Sequence, residues 1–152
     1  MTTAIFVQTP LGPITLRESA GVLTSLTWAA VQEPPVETPL LREAAAQLAA
    51  YFTGDLRGFD LPFDWGTGLQ EKVRRAMAAI PFGETRTYGE ISAQVGAPAQ
   101  AVGQACGANP LPIFIPCHRV LGARGLGGFS AKGGVETKVW LLRHEGAAGL
   151  LI

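Results

Sequence analysis

The sixteen residues at positions 53–68, TGDLRGFDLPFDWGTG, restrict the folds open to this chain more than any other stretch. Four glycines, three aspartates and Pro62 leave no helical or strand periodicity there. Glycine and proline punctuate regular structure, and aspartate favours turns. A chain of 152 residues broken at such a point is expected to form two small domains, 1–65 and 66–152. No internal repeat argues for a solenoid or an array.

Before the break, residues 4–8, 13–17 and 22–28 read as short strands, separated by the turns TPLGP and ESAG. VQEPPVETP at 31–39 is a loop, because its prolines forbid a long helix. LLREAAAQLAAYF follows with helical composition and places Leu41, Ala45, Leu48 and Phe52 on one face. After the break, Leu69, Val73, Met77 and Ile80 recur at helical spacing. Thr87 is placed to cap a short helix through Val95, Gly96 to stop it, and Pro98 to open a third helix ending near Asn109. The expected class is α+β. A small N-terminal domain carries a short antiparallel sheet and a helix. A mainly helical C-terminal domain carries a helix-turn-helix of winged-helix-like type.

The third helix is built from Pro98, Ala99, Ala101, Gly103, Ala105 and Gly107, almost without bulky side chains. Such a helix suits close packing against another helix, or entry into a narrow groove of DNA. A reader of base edges needs Arg, Asn or Gln along its face. Only Gln100, Gln104 and terminal Asn109 qualify, which disfavours a sequence-specific regulator.

The formal net charge of zero conceals an asymmetry. Residues 1–65 hold three basic against seven acidic residues, so −4, and residues 66–152 hold nine against five, so +4. An anionic partner is therefore expected on the C-terminal half, although an ordinary solvated surface produces similar numbers. The first twenty residues lack a basic segment leading into an apolar one, so a secretory signal is not expected. No apolar run reaches the roughly 18 residues of a membrane span. Two cysteines, Cys106 and Cys117, make no disulfide framework, and no zinc-ligand spacing accompanies them. A reducing, cytoplasmic setting fits this usage.

IFIPCHRV at 113–120 concentrates the chemistry. An apolar, β-prone run leads into Pro116, Cys117, His118 and Arg119, and a Gly-rich loop follows. A buried cysteine is ordinarily a small inert hydrophobe, the reading that suits Cys106. Cys117 differs because ionisable neighbours follow at once, and a reactive thiol needs a field that stabilises its thiolate. In extended chain, Cys117 and His118 would point to opposite faces. Either the backbone turns here, or a water links thiol and imidazole. A third group should orient the histidine, and GGVETKVWLLRHEG offers Glu136, His144 and Glu145. Bottom-up, the residues reach a candidate cysteine nucleophile beside a candidate DNA-binding helix pair.

IPCHRV, preceded by TYGEIS and GANPLPI and followed by GGFS and WLLRHEG, closely resembles the O6-alkylguanine-DNA alkyltransferases (methylated-DNA–protein-cysteine methyltransferases). The resemblance is strongest over 68–146, while TPLGPITL and YFTGDLRGFDLP resemble that family's small N-terminal domain. It implies in-line attack of the Cys117 thiolate on the alkyl carbon at O6 of guanine, a permanent thioether, and one repair per molecule without cofactor or metal. It further implies that His118 acts on the thiol through a bridging water, that Glu145 holds His118, and that Asn109 braces the turn before the active-site strand. Tyr88 would crowd a phosphate and contact the extruded guanine, and Val120, Phe129 and Ser130 would line the pocket. Ala99, Gln100, Ala101, Gly103 and Arg119, with Tyr88, would meet the DNA. The implied partner is double-stranded DNA containing O6-alkylguanine, bound in the minor groove with little sequence preference by a monomeric protein. O4-alkylthymine is a further candidate substrate.

Three departures accompany the resemblance. Gln100 stands where the family usually has an arginine that fills the gap left by the extruded base. The segment between Phe129 and Trp140 is slightly longer than the commoner form, and the zinc site of some relatives' N-terminal domains has no ligands here. The chief alternative is a non-enzymatic protein that recognises alkylated bases and recruits other repair factors. Relatives of that kind carry tryptophan where Cys117 stands. A turnover cysteine hydrolase would need an oxyanion site, for which no separate motif is present.

Overall fold

The computed structural model describes residues 2–30, 34–123, 125–126 and 134–147, and the chain divides into two compact units between Asp64 and Trp65.

In the N-terminal unit, strands β1 (Thr2–Thr9), β2 (Gly12–Ser19) and β3 (Val22–Thr27) form an antiparallel meander in that order. Both hairpins have two-residue loops, since Thr9 pairs with Gly12 and Ser19 with Val22. At the second, Ala20 and Gly21 have φ of 53° and 82°. Two positive φ values match the turn to the right-handed twist of the strands, as in a type I′ turn. Helix α1 (Pro39–Phe52) starts where Thr38 accepts a hydrogen bond from the Leu41 amide at 3.1 Å, with Pro39 in the first turn. It packs on the sheet through Leu41, Ala44, Leu48 and Tyr51. The expected stripe through Ala45 and Phe52 is corrected here. The Leu41–Leu48 axis is common to both stripes, but the sheet lies on its Ala44 and Tyr51 side. Tyr51 also meets the rings of Phe52 and Phe59, with centroids at 5.3 and 5.5 Å.

The Gly/Asp/Pro-rich run does not hang free. The Leu23 amide donates to the Pro62 carbonyl, and the Asp64 amide donates to the Leu23 carbonyl, both at 2.9 Å. The run is thereby tied along β3.

The C-terminal unit begins with α2 (Gly68–Ala78), buried through Val73 and Met77, with Ile80 just beyond it. β4 (Arg86–Thr87) leads into α3 (Tyr88–Val95), whose start is a reciprocal capping box. The Glu90 amide donates to the Thr87 hydroxyl at 3.1 Å, and the Thr87 amide to the Glu90 carboxylate at 3.0 Å. Gly96 closes α3 in the left-handed region at φ 73°. α4 (Ala99–Gly107) follows at once, and α2, α3 and α4 pack on one another. A 3-10 turn over Cys117–Arg119 runs into β5 (Val120–Leu121), which pairs parallel with β4, Arg86 opposite Val120. α5 (Val135–His144) packs against the 3-10 turn. Among the described residues, no helix is long and apolar enough to cross a membrane.

The apolar run before Cys117 is not a strand. The Ile115 amide donates to the Leu111 carbonyl at 2.9 Å, Ile113 sits at φ 73°, and the whole stretch is buried as irregular turns. A β-branched residue in the left-handed region is strained and persists only where its surroundings over-determine it. Pattern reading takes Ile-Phe-Ile for a strand because nothing in the residue types announces that φ.

Candidate functional site

The geometry around Cys117 begins with its backbone. Pro116 has φ −79° and ψ 70°, and the Cys117 amide donates to the Ile115 carbonyl at 2.8 Å, which is an inverse γ-turn. The Arg119 amide then donates to the Pro116 carbonyl at 3.0 Å and opens the 3-10 turn. The chain therefore bends at Cys117, and thiol and imidazole are not on opposite faces of an extended strand. Asn109 holds this bend from the end of α4. Its Nδ2 donates to the Ile115 carbonyl at 2.8 Å, and its Oδ1 accepts from the Leu111 amide at 3.1 Å. Both ends of the buried segment are thus fixed by one amide.

His118 is fully buried, and its Nε2 lies 2.8 Å from Glu145 Oε2. Burial lowers the His118 pKa and outweighs the raising effect of Glu145, with Arg119 and Lys138 lowering it further. The ring is therefore neutral near pH 7. A neutral ring facing a carboxylate through Nε2 carries its proton on that nitrogen, which leaves a lone pair on Nδ1. Nδ1 is buried and has no hydrogen-bond partner among the described residues.

Glu145 is the C-cap of α5, and its carboxylate serves three donors. Besides His118, Arg119 donates from Nε to Oε1 at 2.8 Å and from Nη2 to Oε2 at 2.9 Å. Burial opposes ionisation of Glu145, yet the hydrogen bonds and charges of His118 and Arg119 prevail and hold its pKa at about 2. The third arm of Arg119, Nη1, donates to the Ile80 carbonyl at 2.7 Å. The expectation that Arg119 meets DNA is corrected by this placement. Arg119 is 5% exposed, and its guanidinium donors serve Glu145 and Ile80. Gly83 lies beside the same clamp: at φ +84°, an added Cβ there would meet the Glu145 carbonyl at 3.2 Å.

The two cysteines differ in position. Cys106 lies buried in α4, and burial with the nearby Cys117 pushes its pKa up to about 12. Cys117 is partly exposed. Its crowded setting also raises its pKa, against the opposing effects of Asn109, Lys138 and the backbone N–H groups of Cys117 and His118. At rest it is a thiol, and its activation needs a base. Tyr88, at the start of α3, is half-buried; burial first, then the two cysteines, raise its pKa, so the hydroxyl keeps its proton. Val120 is buried beside β4.

On α4, Ala99 and Gln100 are exposed and Ala101 and Gly103 half-buried. A Cβ added at Gly103 or Gly107 would meet nothing within 4 Å. Close packing inside the protein therefore does not explain these two glycines. Phe129 and Ser130 lie outside the described residues. Sequence reading passed over Lys138, which is buried on α5; its signal is a position seven residues before Glu145, on the same helical face. Among the described residues, no group of three or more His, Cys, Asp and Glu is arranged to hold a metal ion.

Two family models match the chain: the DNA binding domain of 6-O-methylguanine DNA methyltransferase over residues 68–147, and its ribonuclease-like domain over residues 3–65. A methylated-DNA–protein-cysteine methyltransferase of Mycobacterium tuberculosis is 44% identical over 91% of this chain and 89% of its own length. The constitutive enzyme of that name in Bacillus subtilis is 41% identical, over 91% and 92%. The crystal structure of the M. tuberculosis O6-methylguanine methyltransferase superposes with a TM-score of 0.81 at 42% identity, covering 97% of this chain and 94% of that one. A crystal structure of the M. tuberculosis protein in complex with DNA gives 0.82 at 42% identity, over 95% and 93%.

Proposed function

The chain belongs to the 6-O-methylguanine DNA methyltransferase family and repairs DNA by alkyl transfer, and we propose that Cys117 takes the alkyl group from O6 of guanine, once per molecule. The supporting observation is the buried imidazole of the residue next to Cys117 in the chain. His118 is neutral, fixed by Glu145 through Nε2, and offers a buried Nδ1 with no partner among the described residues.

The steps follow from that arrangement. The Cys117 proton passes, through one water, to Nδ1 of His118, and the imidazolium so formed is stabilised by the Glu145 carboxylate. The sulfur attacks the alkyl carbon in line. The S–C bond forms as the C–O6 bond breaks, and the electron pair departs with the purine, which is protonated to ordinary guanine. Tyr88, with its proton retained, keeps a hydroxyl able to donate a hydrogen bond to the substrate. The product is a thioether, which no exchange with free thiols reverses.

The target atom lies within the base stack, so the nucleotide must be extruded, at a cost of about a few kcal/mol. α4, with Ala99 and Gln100 exposed and the small Ala101 and Gly103 half-buried, suits a narrow minor groove, and the open space at Gly103 leaves room for a backbone to approach. Such binding draws on phosphate contacts, depends on salt and shows little sequence preference. Gln100, neutral and shorter than arginine, is a weaker filler of the gap left by the base.

The test is intact mass after incubation with an O6-methylguanine duplex. One methyl should be gained per molecule, and Cys117→Ala should gain none. Binding of the duplex without a mass gain would sink the transfer and point to a damage-recognition protein.

A further inference from the structure

α5 meets the Cys117–Arg119 turn with two ionisable side chains. Lys138 and Glu145 are seven residues apart, two helical turns, and so project from the same face. Glu145 takes the His118 and Arg119 side of the turn. Lys138 reaches its exit, where Nζ donates to the Val120 carbonyl at 2.6 Å. The lysine side chain has no solvent exposure. Ammonium groups are almost never buried to this degree unless something in the interior repays their lost hydration.

The surrounding titratable groups come from each element packed about the turn. They are Tyr88 on α3, Cys106 on α4, His118 and Arg119 in the turn, and Glu145 at the end of α5. Glu145 and Arg119 are bonded to each other. The charge that draws the Cys117 sulfur toward its ionised form is that of Lys138. In return, burial lowers the Lys138 pKa to about 8, while Cys117 and then Cys106 raise it, so at pH 7 it is an ammonium. Cys106 feels the same cation and still stays a thiol.

On the reading that Cys117 is the alkyl acceptor, we propose that Lys138 is a positioning residue for the transfer, its buried ammonium stabilising the thiolate that forms when His118 takes the proton. The negative charge appears on sulfur, is opposed by Lys138, and leaves with the guanine as the S–C bond closes. A merely structural lysine would brace the Val120 carbonyl and do nothing to the ionisation of the sulfur.

The experiment needs no DNA. Iodoacetamide reacts with thiolates, and the rate of Cys117 modification by it can be followed by peptide mass spectrometry across pH in the full chain. Lys138→Met should slow modification about tenfold at pH 7, where Lys138 is an ammonium, with the difference shrinking as pH rises past the lysine's own titration, and Lys138→Arg should retain most of the wild-type rate at pH 7. An unchanged profile in folded Lys138→Met overturns the proposal. Should that variant fail to fold, the reciprocal measurement decides. Isotope-labelled Lys138 is titrated by NMR in Cys117→Ser and in Cys117→Asp, whose carboxylate stands in for the thiolate. The anion should raise the lysine midpoint, and an unmoved midpoint overturns the proposal. Failure of the duplex assay would instead count against the repair reading, so the two are separable.

Discussion

The N-terminal unit buries aliphatic and aromatic side chains, with Thr15 as its buried polar residue among those described. The C-terminal unit buries Arg74, Asn109, His118, Arg119, Thr137, Lys138 and Glu145. Thr15 is satisfied simply, by donating to the Ala29 carbonyl at 2.6 Å. The C-terminal groups need a network, in which one carboxylate serves an imidazole and a guanidinium, and one amide braces a strained turn. Desolvated charges cost several kcal/mol each before they are paired. A fold does not accept that cost for packing alone, since apolar residues would fill the same volume more cheaply. The contrast separates a unit built for stability from one whose buried polar network gathers around Cys117, the alkyl acceptor proposed above.

The comparison is broken most directly at Glu145. Glu145→Gln leaves the Arg119 guanidinium buried without its anion, and should cost about 3–5 kcal/mol in denaturant unfolding at pH 7. It should also remove most alkyl transfer per folded molecule, because His118 loses its orientation. The pH dependence follows from the depressed pKa. The stability due to Glu145 is fully present above pH 4.5 and is lost as pH falls toward 2, so the variant should lack that acid limb. A variant that unfolds like wild type at pH 7 would show that the clamp is dispensable.

Leu48→Ala probes the other side. Leu48 is fully buried in α1, and truncation should cost about 3 kcal/mol through lost burial and a cavity. The transfer rate per folded molecule should stay at the wild-type value. A slower rate would mean that the N-terminal core also sets the chemistry. The finest comparison pairs Gly21 with Gly83, at φ 82° and 84°. Alanine at either should cost about 1–2 kcal/mol from left-handed strain. Only Gly83→Ala sets a methyl against the Glu145 carbonyl, so only that variant should slow the transfer. Equal rates in the two would show that the clamp tolerates displacement.

Legibility in the sequence follows how local each cause is. Thr87, Glu90 and Gly96 define the ends of α3 by chemistry that acts within four residues, and could be read directly. The hairpin strands and α1 carried clear periodicity, although the face of α1 depended on where the sheet lies. Cys117, His118 and Glu145 were legible as a constellation, through motif order rather than distance. Three features were not. Ile113 adopts a glycine-like φ without being glycine, so an apolar run looked like a strand. Arg119 was expected to meet DNA because nothing nearby in sequence hints at a carboxylate 26 residues on. Lys138 was passed over, because burial is a tertiary property.

The Glu145 clamp sits at the C-cap of α5, just past its last residue, where helices fray first. Breathing of that single turn releases Arg119 and lets the imidazole swing at the same moment. Loss of chemistry and local opening are thus one event, whose free energy can be much smaller than that of global unfolding. Amide hydrogen exchange at the α5 terminus should therefore track the reactive fraction of a warmed sample, while exchange in the β1–β3 sheet reports on the rest of the protein. A repair protein of this kind would fall silent while most of its backbone is still folded.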